Sequence, residues 1–188
     1  MTRDEALALV RESIKNEGLV RHCLAVEAAM RAYAPRYGGD GAEWGLAGLL
    51  HDFDWEMHPT AEEHPQAGAP ILRQHGVPER IIHAILAHAD YLEIARVDPM
   101  DKALYAVDEL SGLITAATLV RPSRSIHDLD ASAVRKKMKD KAFARQVNRD
   151  DIVRGATDLG VDLDAHIAFV IAAMAAVAAT LGLDGAPR

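Results

Sequence analysis

Apolar residues recur three and four positions apart along almost the whole chain, and runs alternating valine, isoleucine or threonine with polar residues are missing. That spacing gives each segment one oily stripe and no pleated face, so the sequence predicts an all-α fold, a helical bundle. The helix boundaries have their own chemistry. Thr2, with Glu5 three positions on, predicts a capping-box start for a first helix reaching about residue 16, with Gly18 as its stop. A second helix is expected from about Leu19 to Tyr37, followed by a turn at Gly38, Gly39 and Gly41, and Asp40 caps a third through "AEWGLAGLLHDF". Further helices are expected from about Pro65 to His75, through "PERIIHAILAHAD", from Asp98-Pro99 through "MDKALYAVDELSGLITAATLV", from Asn148 to Leu159, and over the alanine-rich end. Pro122 and its neighbouring serines break the long one. With 188 residues and neither an internal repeat nor linker-like composition, the expectation is a single domain.

Several inward positions on these helices are polar. Leu19, Cys23, Val26, Met30 and Tyr33 form the stripe of the second helix, and His22 falls on it. Trp44, Ala47 and Gly48 step to His51, with Asp52 at the helix end; His64 precedes Gly68, Ile71 and Leu72. Ile81 and Ile85 lead to His88, and Leu104 and Val107 lead to Asp108. Five helices thus each aim an ionisable group inward. One histidine so placed is ordinarily a core residue with a satisfied hydrogen bond. A carboxylate taken out of water is different, because the transfer is costly unless a cation or strong donors compensate. No arginine or lysine shares those stripes, so a metal ion is the economical partner for Asp108; bonding to hydroxyls or backbone amides is the alternative. Imidazole and carboxylate are ligands that zinc, manganese, iron and cobalt accept. At a helix's last turn the adjacent His51 and Asp52 converge on one ion, whereas mid-helix they would diverge by about 100°.

Composition narrows the function classes. A formal net charge of -7 argues against general attraction to nucleic acid or anionic membranes. The exception is the basic segment from Arg121 to Arg149, which lacks interleaved aromatic residues. Cys23 is the one cysteine, so neither an intramolecular disulfide nor a thiolate cage forms, and a cytoplasmic location is expected. The start, "MTRDEALALV", is acidic where an export leader is basic. The uncharged run "IAFVIAAMAAVAATLGL" is short and alanine-dominated for a membrane span, and reads as a buried packing helix or a homodimer surface. The glycine turn matches no phosphate loop and no "GxSxG" elbow exists; Cys23 reads as core packing. His58, His75, His83, His127 and His166 read as surface or structural residues.

At His22, then His51-Asp52, then Asp108, the sequence resembles the HD superfamily of metal-dependent phosphohydrolases, whose pattern is a histidine, a later His-Asp doublet and a distant aspartate on a helical core. The resemblance implies that these four residues bind a first metal. His64 in "EEHPQAGAPIL" and His88 in "AILAHAD" stand where some branches place two histidines for a second. It also implies an HD-type helical domain over residues 1–188, with a metal-binding core at about 19–120 and the basic and C-terminal helices, 121–188, packed on it. The blocks "KALYAVDELSGLITA", "LVRPS" and "VRKKMKDKAFARQVNR" are similar to a bacterial group of HD hydrolases along nearly the whole chain. Phe53-Asp54 follows the doublet where one branch has Ile-Gly, and no "GYP" appears, which argues against cyclic-dinucleotide cleavage.

The function implied is hydrolysis of a phosphate ester, of a nucleotide or another small phosphorylated metabolite. One or two divalent transition metal ions (iron, manganese, zinc, cobalt or nickel) would lower the pKa of a coordinated water from about 15.7 toward ~7 and polarise the phosphoryl group. Asp52 is a catalytic candidate, and Asp54, Glu56, Glu63 and Glu109 are candidates to orient histidines and accept protons. Arg121, Arg124, Lys136, Lys137, Lys139 and Lys141 are candidates to hold phosphate oxygens, with a solvated basic face as the alternative. Two rival readings use the same residues: a di-iron HD-fold oxygenase, and a non-catalytic binding or signalling module.

Overall fold

Capping side chains set most helix starts in the computed structural model, which describes residues 1–185. Among the described residues there are helices and turns, with no strand; the helices are α1 (Arg3–Ser13), α2 (Glu17–Tyr33), α3 (Gly41–Leu50), α4 (Gly68–Gln74) and α5 (Glu79–Ala87), then α6 (Pro99–Leu119), α7 (Ala131–Lys139), α8 (Arg149–Leu159), α9 (Leu163–Ala175) and α10 (Ala178–Leu181). The fold is all-α, as expected.

Thr2 and Glu5 close a reciprocal capping box on α1. Asp40 and Asn148 accept amide hydrogens at the starts of α3 and α8. Several boundaries differ from expectation. α1 stops at Ser13, and Gly18 lies inside α2, where its N–H donates to the capping Asn16 side chain. The Glu56 carboxylate accepts the Lys15 and Asn16 amides, so the chain turns earlier than glycine alone suggests. α2 ends at Tyr33 and gives way to a 3-10 turn, Ala34–Tyr37, that carries Pro35. α4 begins at Gly68 rather than Pro65, after a run of turns.

Two compact units divide the chain, one from Met1 to Tyr105 and one from Ala106 onward, so the break falls within α6. In the first, α3 packs on α1, α2 and α5. The closest approach is at Gly48, where an added Cβ would stand 2.9 Å from backbone atoms of Glu27 and Val26. Trp44, Leu49, Leu50, Val26, Met30 and Ile85 are buried around it. Glu27 is also buried, its carboxylate gripped by the Arg3 guanidinium at 2.7 and 2.9 Å and by Arg31 Nε at 2.8 Å. In the second unit α9 packs against α7 and α8. The apolar stripe of α9, Ile167, Val170, Ile171 and Met174, is buried. Among the described residues no helix is long and apolar enough to cross a membrane.

Candidate metal centre

The last carbonyls of an α-helix lack intrahelical partners. α3 and α5 use that fact in the same way. His51 is the first residue beyond α3 and its Nδ1 donates to the Gly48 carbonyl at 2.8 Å. His88 is the first residue beyond α5 and its Nδ1 donates to the Ile85 carbonyl. With Nδ1 engaged by a carbonyl, Nε2 is the ring atom left to meet a cation. His64 reaches the same condition by another route: its Nδ1 bonds to Asp54 Oδ1 at 2.8 Å.

Those Nε2 atoms surround Asp52. Its Oδ2 lies 3.3 Å from His51 Nε2 and 3.7 Å from His22 Nε2, while Oδ1 lies 3.3 Å from His64 Nε2 and 3.7 Å from His88 Nε2. One carboxylate thus stands between two pairs of imidazoles. His22 Nε2 and His51 Nε2 are 3.2 Å apart. Two nitrogens bound at about 2.1 Å to one tetrahedral or octahedral ion would be separated by about 3.0–3.4 Å, so the spacing fits a shared cation. Asp52, His64 and His88 form a second group whose ligand atoms all lie within 4.8 Å of one another. The negative ends of the α3 and α5 dipoles favour positive charge at the same place.

The protonation chemistry points the same way. Burial alone would raise the pKa of Asp52, but His51, His64 and His88 hold its carboxyl well below the usual carboxylate range. Burial opposes a charge on His64, yet Asp52 and Asp54 outweigh it and push that imidazole up to about 9. Asp54 is fully buried, and its second oxygen accepts the Gly68 amide at 3.0 Å. Gly68 is required there, because a Cβ would meet the Asp54 carboxylate at 2.7 Å.

The expectation that all these ligands lie on inward helix faces is corrected. His22 does stand on α2, but His51 and His88 follow helix ends and His64 lies in the turns before α4. Those positions free the backbone acceptors that orient the rings. Asp108 lies on α6 in the second unit and is half-buried rather than enclosed. Among the candidate site residues, the carboxylate wholly removed from water is Asp54, which sequence proximity alone had nominated.

Other expected residues have different surroundings. Glu56 is exposed and caps the approach to α2, and Glu63 is exposed with Oε1 3.8 Å from His58 Nδ1. Glu109 lies in the second unit and accepts the Asn148 amide at 3.1 Å. The basic candidates also belong to the second unit: Arg121 and Arg124 follow α6, Lys136, Lys137 and Lys139 are on α7, and Lys141 is just beyond it. Lys137 Nζ stands over the Phe143 ring. Cys23 is buried, as is His166, which bonds to the Ala106 carbonyl. His83 Nδ1 lies 3.2 Å from Asp101, a buried carboxylate that accepts the Val97 and Asp98 amides before α6. Sequence reasoning missed two aromatic residues. Trp55 sets its ring perpendicular to the His64 ring at 4.9 Å between centroids, and Tyr91 Oη donates to the His64 carbonyl at 2.7 Å. Each stands three residues after a residue of the Asp52, His64 and His88 group, which is the signal that would have found them.

Residues 19–118 match the HD domain. Proteins named Ribonuclease Y from Desulfotalea psychrophila and Oleidesulfovibrio alaskensis are 29% and 27% identical over 138 and 139 residues, covering 71% and 72% of this chain and 26% of each relative. Ribonuclease Y from Cutibacterium acnes is 34% identical over 92 residues, 48% of this chain and 17% of the relative. The chain therefore spans about a quarter of the length of the first two relatives. No solved structure matches it.

Proposed function

This chain belongs to the HD domain family, and from that premise we propose that it is a metal-dependent phosphohydrolase acting on a nucleotide or another small phosphate ester. The observation that carries the reading is Asp52, whose two oxygens face the His22–His51 pair on one side and the His64–His88 pair on the other. That arrangement supports two divalent transition ions, drawn from iron, manganese, zinc, cobalt or nickel. Asp108 enters the proposed ligand set through the family match, which includes its position.

A cation held there supplies acidity: it lowers the pKa of a coordinated water toward about 7 and draws charge from a phosphoryl group. The protein's own residues hold and orient. The Gly48 and Ile85 carbonyls fix the tautomers of His51 and His88, and Asp54 fixes that of His64. Glu63 stays in the proposed set of proton acceptors, whereas Glu56 and Glu109 already hold backbone amides. We assign the basic set Arg121, Arg124, Lys136, Lys137, Lys139 and Lys141 to phosphate oxygens, on their charge alone. The similarity to proteins named Ribonuclease Y supports a second substrate, a nucleic-acid phosphodiester, beside the small ester.

The test is metal analysis of protein purified without chelator, paired with a screen of phosphorylated metabolites on wild type and Asp52→Ala. Bound metal and hydrolysis are both expected to be lost in the variant. An Asp52→Ala protein that turns over substrate as fast as wild type overturns the reading, and iron with oxygen uptake in place of hydrolysis assigns the site to oxygenase chemistry.

A further inference from the structure

The rim of the Asp52 site carries exposed aromatic surface that the fold does not need for packing. Trp55 is 40% exposed, Met57 43% and Tyr91 49%, and these are three of the few large apolar side chains left open to water. Both rings are nonetheless held in place. The Trp55 amide donates to the Asp52 carbonyl at 3.0 Å, and the indole rests edge-to-face on His64. The Tyr91 hydroxyl is tied to the His64 carbonyl, and the 3-10 turn that carries it, Asp90–Leu92, is braced by Arg96, which donates to the Ala87 carbonyl and the Asp90 carboxylate.

Rings fixed in position yet open on one side suit stacking, because their ordering cost is met before a ligand arrives. An alkyl phosphate would gain little from them; a planar base would gain most. We propose that Trp55 and Tyr91 form a stacking platform for a nucleobase, so that the preferred ester is a nucleotide whose base rests on this rim. The inference rests on the phosphohydrolase reading for the placement of the phosphate, but base binding is measurable without turnover.

Trp44, the second tryptophan, is 1% exposed and stacked on Tyr37, so a ligand-induced change in indole emission reports on Trp55. Adenosine monophosphate is expected to quench that emission saturably and ribose 5-phosphate to leave it unchanged; Trp55→Leu loses the response. In hydrolysis, wild type should show a KM for adenosine monophosphate about tenfold or more below that for ribose 5-phosphate. Trp55→Leu and Tyr91→Ala should bring the two values together, with Trp55→Phe restoring most of the difference. A single-stranded oligoadenylate distinguishes the source of the base: quenching by it alone assigns the platform to RNA, and quenching by both to bases of either origin. No quenching by either, or equal KM values for the two wild-type substrates, overturns the platform even where hydrolysis is intact. Quenching without turnover of any ester leaves the platform standing and removes the hydrolase reading instead.

Discussion

Asp54 is the residue on which His64 depends. It contributes no ligand atom to the group around Asp52, yet its two oxygens hold the His64 Nδ1–H and the Gly68 amide in a wholly buried pocket. An asparagine there keeps the volume but cannot accept from both donors, so the His64 ring loses the partner that fixes its orientation. Asp54→Asn is predicted to weaken metal affinity about 10–100-fold while leaving the protein folded. Metal titration followed by calorimetry checks it, and an unchanged affinity would show that His64 is oriented by something else. The same reasoning makes Asp54 a positioning residue, where the sequence offered it only as one of four carboxylates close in sequence to the candidate ligands.

At the scale of elements, the site is made by the way helices end and by how closely two of them approach. α3 and α5 each finish so that a histidine just beyond the helix returns its Nδ1 proton to the carbonyl three residues back. α2 and α3 meet at Gly48, where bare backbone lets His22 come within 3.2 Å of His51. Gly48→Ala would place a methyl 2.9 Å from the Glu27 backbone, and backbone cannot rotate aside. The variant should lose roughly 1–3 kcal/mol of stability and bind metal more weakly, because the helices must separate. Denaturant unfolding read beside metal content tests this, and full metal occupancy in Gly48→Ala would mean that the helix contact does not set the ligand spacing.

For the whole molecule, two stability effects follow. A metal that binds only the folded chain stabilises it by mass action, about 2.7 kcal/mol when the free ion is a hundred times its Kd. Chelation should therefore lower the melting temperature of wild type and leave that of Asp52→Ala unmoved; equal shifts in both would place the responsible ion elsewhere. The second effect is a pH dependence from His166, which is buried on α9 with its Nε2 bonded to the Ala106 carbonyl. Burial lowers its pKa below the ordinary 6.5, and the carbonyl bond only partly offsets that. The unfolded chain then binds the proton more readily. This contribution to stability is fully present above pH 6.5, declines as pH falls below it, and levels off once the folded pKa is passed. His166→Gln should flatten that part of the stability profile in denaturant melts at successive pH values, and an identical slope would exclude His166 as its source.

The sequence by itself determined the all-α class, most helix starts and the chemical types at the site. These are short-range properties: helical periodicity is set by bonds four residues apart, and the caps at Thr2, Asp40 and Asn148 act within three residues of themselves. His22, His51 and Asp52 were legible for that reason, since each interrupts or closes an apolar stripe. Tertiary structure alone decided that Asp52 stands between two pairs of imidazoles, that Asp54 rather than Glu56 supports His64, and that Trp55 and Tyr91 flank it. Those relations join residues far apart in the chain, as Tyr91 does in reaching back 27 positions to His64. Such contacts depend on how closely packed helices approach, and a missing side chain at Gly48 or Gly68 controls that approach without leaving any periodicity to read.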